Sequence, residues 1–355
     1  MVARPRLKTH VRPLRRGPGA VQFGLTPGFG VVLEGLLPAE ISLLERLDGS
    51  ADLRGLYAVA RNGGIARSRL DELLDTLRRH RLLVEQPTDR ALLSRLGLSG
   101  RARLDLGPDA DALAVSGAGS GDGYAQIAAR GRYRVAVHGW GGLPEAIASL
   151  LVSTGVSCVS PAEQRAPTDA ADEVGGSSGG SSGGGEGPPD LIVLTASRAL
   201  PIEAGEQWLR QGVAHLPVVS LGHRVVIGPL VTPGSGPCLR CLDLHRSDRD
   251  SAWPTVLAQL VTARPDHSPA VRAETALTAV AAGLTAMVVH RRIDGSDLPP
   301  GASLEIALPW PRVDHRTWTA HPLCSCLSTT PLPAVRVHPT GAVGARSPFG
   351  ATMNR

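Results

Sequence analysis

Tyr133-Arg-Val-Ala-Val-His-Gly-Trp-Gly-Gly-Leu-Pro-Glu145 decides the architecture of this 355-residue chain. Val135, Ala136 and Val137 form a continuous apolar run, which suits a strand buried on both faces. Gly139, Gly141 and Gly142 then break the run, and a helical pattern follows over 145–154. Gly155-Val-Ser-Cys-Val159 returns as a strand, with Cys158 expected in the core. Strand, glycine turn, helix, strand is the opening of an α/β, doubly wound, Rossmann-like domain. In such a turn the glycines let the backbone approach a phosphate, and the helix N-terminus favours its charge. Gly139, Gly141 and Gly142 are therefore the candidate cofactor-binding residues. Glu145, however, puts negative charge where a phosphate would sit.

Downstream, Asp190-Leu-Ile-Val-Leu-Thr195, Pro217-Val-Val-Ser-Leu221 and the stretch 224–231 read as further strands. A helix is expected over 205–212, and another over 269–289 that packs on the sheet. Ser303-Leu-Glu-Ile-Ala-Leu308 reads as the last strand, before a proline-rich segment with Trp310 and Trp318. Between 163 and 189 lies a glycine-serine insertion, Gly175-Gly-Ser-Ser-Gly-Gly-Ser-Ser-Gly-Gly-Gly185, of flexible-linker composition.

Gly236-Pro-Cys-Leu-Arg-Cys241 and His321-Pro-Leu-Cys-Ser-Cys326 hold four of the five cysteines. Two thiolates on one turn bind a Zn²⁺ from two directions, and a second pair completes a tetrahedron. Cys238, Cys241, Cys324 and Cys326 are accordingly the expected ligands of a structural zinc with no open position for substrate. The alternative is a set of free or disulfide-bonded thiols. Because the second pair is Cys-x-Cys, His321 or His245 could replace one thiolate. The charged stretch 242–254 that follows the first pair reads either as a solvated helix start anchored by Trp253, or as a contact surface made by Asp243, His245, Arg246 and Asp248.

Residues 20–90 form a separate pattern. Short strands at 21–25 and 30–34 precede three helices: one opening at Pro38, one over 52–61, and one carrying Leu70, Leu73, Leu74 and Leu77 on one face with Ser68 as its cap. Leu82-Leu-Val84 closes the unit as a strand, giving the outline of a winged helix-turn-helix. Arg67, Arg69, Arg78, Arg79 and Arg81 offer cations for DNA, but Asp71, Glu72 and Asp75 make the middle of the third helix acidic. Capture of a peptide on an exposed strand edge is the favoured use, and DNA the lesser one. Residues 1–19 read as a basic solvated tail, 91–130 as a linker, and 329–355 as a disordered tail.

Net charge is +5, with apolar residues at 42% and aromatics at 3%. That is ample for a core, and it lacks the aromatic interleaving of a nucleic-acid arm. The richness in Ala, Gly, Arg and Pro suggests a GC-rich bacterial gene. The longest apolar run, 276–289, reads as a buried helix and not as a membrane span, so a cytoplasmic location is expected.

Residues 131–327 resemble the E1-like, ThiF-type adenylyltransferase superfamily. The resemblance rests on Gly139-Trp-Gly-Gly-Leu143 after a strand, on Val226-Ile-Gly-Pro-Leu-Val-Thr-Pro-Gly234 before Pro237-Cys-Leu-Arg-Cys241, and on the late His-Pro-Leu-Cys-Ser-Cys. It is most similar to the E1-like partner proteins of azole-forming peptide-modification systems, in which an N-terminal winged helix binds a precursor's leader peptide. The resemblance implies a peptide or small protein substrate, a separate modifying enzyme such as a cyclodehydratase, and a possible homodimer. Active members activate a carboxylate with ATP and Mg²⁺, whereas here Ser160-Pro-Ala162 stands at the ribose position and Thr195-Ala-Ser-Arg198 where the metal aspartate belongs. The nucleotide site therefore reads as degenerate, which argues against ATP and Mg²⁺. An active adenylyltransferase is the runner-up, and a DNA-binding regulator the third reading.

Overall fold

The computed structural model describes residues 4–8, 11–25, 30–84, 105–116, 121–159, 188–262, 273–295, 298–310 and 312–326. The ribose position 160–162, nearly all of the glycine-serine insertion and the tail 329–355 lie outside these residues.

The first unit runs β1 (Arg6–Leu7), β2 (Pro13–Gly17), β3 (Ala20–Phe23), β4 (Val31–Leu33), α1 (Pro38–Glu45), α2 (Leu53–Asn62), α3 (Arg67–Arg79) and β5 (Leu83–Val84). Strands β2, β3 and β4 make an antiparallel sheet in that order, and β1 pairs with β5. Val21, Phe23, Leu44, Leu56, Leu70, Leu74 and Leu77 bury together, so the leucines of α3 do face the core. Pro38 occupies the first turn of α1, where its missing N–H costs nothing. Asp52 caps α2 by accepting the Gly55 N–H at 2.7 Å.

Two expectations change here. Ser68 is not the cap of α3: the helix already starts after Ala66. Ile65, buried and with its N–H on Ala60 O at 2.8 Å, turns the chain so tightly that Ser68 falls inside the first turn. The basic run 4–16 is not a solvated tail either, since it contributes β1 and β2. Leu7 and Val11 interleave its charges and enter the core, and Lys8 is buried with its ammonium donating to Ala114 O. Arg15 pairs with Glu45 at 3.0 Å.

Residues expected as linker contain α4 (Gly107–Ser116) and α5 (Tyr124–Arg130). Gly123 (φ +80°) lets the two helices approach, because a Cβ there would lie 1.9 Å from Ala110 O. Arg130 clamps Asp294 through two hydrogen bonds of 2.9 and 2.7 Å, fixing α5 to the second unit.

That unit is a seven-stranded sheet. β6 (Arg134–His138), β7 (Ser157–Val159), β8 (Leu191–Ser197) and β9 (Ala214–Ser220) are parallel in the order β7-β6-β8-β9. β10 (Arg224–Ile227), β11 (Ala302–Ala307) and β12 (Arg312–Thr317) continue it antiparallel, leaving β12 at the edge. β12 was hidden from the sequence reading by Pro309 and Pro311 and by the lack of any apolar alternation. α6 (Gly142–Ser153) and α10 (Thr275–Ile293) cover one face with Ile147, Leu151, Ala281 and Val289 in the core. α7 (Ile202–Arg210) covers the other, with Trp208 and Ala204 packing near Ile192 and Leu194. α10 is long and apolar enough to cross a membrane, at mean hydropathy 1.2, yet its Leu277, Ala282 and Ala286 are spent on the sheet. After the first cysteine pair come α8 (Leu239–Arg249) and α9 (Trp253–Thr262).

Candidate ligand and metal sites

Strand order reverses between β6 and β8, and doubly wound sheets bind ligands in the crevice beyond such a point. A cavity of about 460 Å³ lies there, lined by Trp140, Gly141, Gly142, Leu143, Thr195, Ser197, Ser220 and Thr278 among others. The three candidate glycines do different work. Gly139 (φ +137°) is pressed on β8, where a Cβ would fall 1.8 Å from Thr195 Oγ1. Gly141 (φ +93°) and Gly142 face open space at the start of α6, on the cavity wall.

No charged side chain lines the cavity among the described residues. Thr195, at the position where the resemblance implies a metal aspartate, is turned inward and donates to His138 O at 2.8 Å. The buried Ser220 Oγ has no hydrogen-bond partner among the described residues and lines the same cavity. The sequence reading singled out Thr195 but missed Ser220 and Thr278, which converge from β9 and α10 with no local motif to mark them.

The second site is assembled from both ends of the antiparallel half. Cys238 and Cys241 bracket the start of α8, and Cys324 and Cys326 follow β12 in sequence. All four sulfurs lie within 4.8 Å of one another. Adjacent pairs stand at 3.8 Å (Cys238–Cys241), 3.6 Å (Cys238–Cys324) and 3.4 Å (Cys241–Cys326). None is at the ~2.0 Å of a disulfide. Four sulfurs at ~2.3 Å from one ion would be separated by ~3.8 Å, so the cluster can hold a tetrahedral metal. Burial pushes the thiols of Cys238 and Cys326 up, the latter to about 11. Burial would raise Cys241 as well, but backbone hydrogen bonds from His321 and Cys238 bring it below its ordinary value.

Each histidine has a hydrogen-bond partner of its own. His321 Nδ1 accepts the Leu323 N–H at 3.1 Å, which leaves the proton on Nε2 to bond Asp248 at 2.8 Å. His245 Nε2 stands 3.0 Å from Thr319 O. In the charged stretch 242–254, Asp243 is buried and accepts from Trp253 Nε1 at 3.1 Å and Arg246 at 2.8 Å.

In the first unit three of the four arginines of α3 meet acids, and Arg79 donates to Thr76 at 2.9 Å. Arg69 bonds Glu40 at 2.7 Å and Glu72 at 2.9 Å, Arg78 meets Asp75 at 2.7 Å, and Arg67 lies over the Tyr57 ring at 4.6 Å.

Four parallel strands continued by three antiparallel ones, with the four-cysteine cluster beside the latter, define a mixed α/β fold. Solved structures carry the same fold. A heterocyclase in complex with substrate and cofactor matches with a TM-score of 0.58 at 18% identity, over 90% of this chain and 39% of the other. The heterocyclase TruD matches at 0.59 and 16%, over 92% and 43%. E. coli MccB with MccA matches at 0.57 and 14%, over 91% and 99%. The chain thus spans about two fifths of the heterocyclases and nearly all of MccB. No protein-family model and no curated protein matches the sequence.

Proposed function

We propose that this chain is an E1-like scaffold with a degenerate nucleotide site that recognises a peptide or small protein and presents it to a separate modifying enzyme. The observation that carries the reading is that no charged side chain is found among the described residues lining the crevice. A triphosphate and Mg²⁺ need cationic side chains and a carboxylate, and the described walls at the switch point offer hydroxyls and apolar groups instead. Residues 20–90 would serve as a winged-helix recognition module. Its β4 is an edge strand, and Val32 and Leu37 expose apolar surface on and just beyond it, a setting suited to strand addition by a peptide. The four cysteines would hold a structural zinc, and a homodimer is the expected assembly.

The test has two arms. Calorimetry of zinc-loaded protein with Mg²⁺-ATP should give no heat of binding. A displayed library of extended peptides should yield ligands whose binding is lost on Val32→Lys. Peptide-dependent ATP–pyrophosphate exchange would sink the scaffold reading and install the second one, an active adenylyltransferase. That second reading draws on the fold shared with a MccB structure solved with ATP.

A further inference from the structure

The charged stretch 242–254 lies outside the proposed recognition module of residues 20–90, and its side chains form an interlocked set. Asp243 holds Arg246 so that the guanidinium lies 5.1 Å from the Trp253 ring and 5.8 Å from the Trp318 ring. Arg249, on the last turn of α8, lies 5.4 Å from the same Trp318 ring, and Arg316 of β12 lies 5.6 Å from it. Three guanidiniums are thus arranged about one indole that is only 7% exposed. Trp318 is itself pinned by its Nε1–H on Ser303 Oγ at 3.1 Å. The four-cysteine cluster follows a few residues later. Stacking on such a platform orders arginine side chains before any partner arrives, which lowers the entropy cost of docking.

The carboxylates on this surface are engaged with other groups: Asp314 pairs with Arg312 at 2.8 Å, Asp248 with His321 at 2.8 Å, and Asp250 accepts the Ala252 N–H at 3.0 Å. Glu305 serves both Arg224 (2.6 Å) and Arg316 (3.7 Å), and Asp243 serves Arg246. Arg249 meets no carboxylate among the described residues. Beside this patch runs β12, the outer strand of the large sheet, exposed along nearly its whole length. An edge strand offers backbone donors and acceptors to an incoming strand.

We propose that this face docks an acidic, extended segment of a partner protein, added as a strand along β12 with its carboxylates on Arg249, Arg316 and Arg246. The chain's own continuation is a poor occupant. Residues 327–355 leave from Cys326 and carry arginine and histidine but neither Asp nor Glu. A single-stranded nucleic acid fits less well, because it binds by stacking bases on open aromatic faces and the Trp318 ring is covered.

The probe is a fluorescently labelled peptide of alternating Glu and Val, titrated against the full-length, zinc-loaded chain at low salt by anisotropy. Arg249→Glu and Arg316→Glu should each weaken binding by about tenfold or more. The pair Arg12→Glu/Arg16→Glu, on the first unit, should change it by less than about twofold. Arg249 sits on an exposed last turn, so unchanged metal content and melting temperature in Arg249→Glu keep the comparison valid even where Arg316→Glu misfolds. Equal loss in the distant pair would reduce the effect to general charge attraction and overturn the proposal. So would full binding by a copy of the peptide N-methylated at alternate residues, which cannot pair with a strand. Tighter binding of a single-stranded oligonucleotide, lost in the same variants, would hand the surface to nucleic acid.

Discussion

Arg69→Leu should be among the most damaging single changes available at a partly exposed position. Glu40 is fully buried, and its carboxylate has two donors: the Leu37 N–H at 2.8 Å and Arg69 Nε at 2.7 Å. Removing the guanidinium leaves a buried negative charge with one oxygen unpaired, a loss of ~3–5 kcal/mol in closed interiors. Arg69 is 36% exposed, so water can reach part of the gap, and the low end of about 3 kcal/mol applies. Its second pair, with the exposed Glu72, adds no more than about 0.5 kcal/mol. Amide hydrogen exchange of the segment 67–79 reads this locally, without assuming that the whole chain unfolds in one step. The expected acceleration is roughly a hundredfold, since ~1.4 kcal/mol is a factor of ten. Arg69→Leu/Glu40→Gln should recover a good part of the loss, because the orphaned charge goes while an acceptor for Leu37 stays. Burial alone would raise the Glu40 pKa, but the bonds from Arg69 and Leu37 outweigh it and hold it below the usual value of 4.5. A depressed carboxylate contributes stability that is present above its unfolded pKa and lost as pH falls through the folded one. The penalty of Arg69→Leu should therefore shrink below about pH 4. Less than a tenfold change in exchange at pH 7, or a double variant no better than the single one, would refute the reasoning.

Three further outcomes follow from the geometry. Cys241→Ser should take zinc from about one per chain toward none by elemental analysis and cost at least about 3 kcal/mol, because the sulfur is fully enclosed among the other three. Gly139→Ala and Gly142→Ala should diverge in thermal melts. The first drives a Cβ into Thr195 and loses more than about 2 kcal/mol, while the second meets open space and stays within about 0.5 kcal/mol. Gly301→Ala places a Cβ 1.9 Å from the Trp318 carbonyl at φ +78° and should both destabilise the chain by more than about 2 kcal/mol and disorder the Trp318 platform, readable as a shift in tryptophan emission.

What could be read from the sequence was local or strongly periodic. Val135 to Val137 followed by three glycines announced the switch-point strand, and Leu70, Leu73, Leu74 and Leu77 announced α3. The cysteine pairs were legible because thiol spacing on a turn is itself a chemical signal. Tertiary pairing hid the rest. Arg6 and Leu7 form a strand only because Leu83 and Val84 lie opposite them. The charge-rich sequence of β12 holds its register through pairing with β11. Ser220 gains meaning only beside Thr195 and Gly142. The insertion at 163–189 could be recognised by its glycine-serine composition.

The four-cysteine cluster also sets an order of events during synthesis. Cys238 leaves the ribosome 86 residues before Cys324, and Cys241 leaves 85 residues before Cys326. Until then a nascent chain carries half a coordination sphere, too few thiolates to retain an ion against cellular competitors. β11 and β12 are made within that interval. If the cluster holds a metal, the last strands are locked only when the second pair arrives, and metal capture and completion of the sheet become one late step. With zinc as that metal, as proposed above, a cell short of it would accumulate chains with a finished parallel half and an open flank.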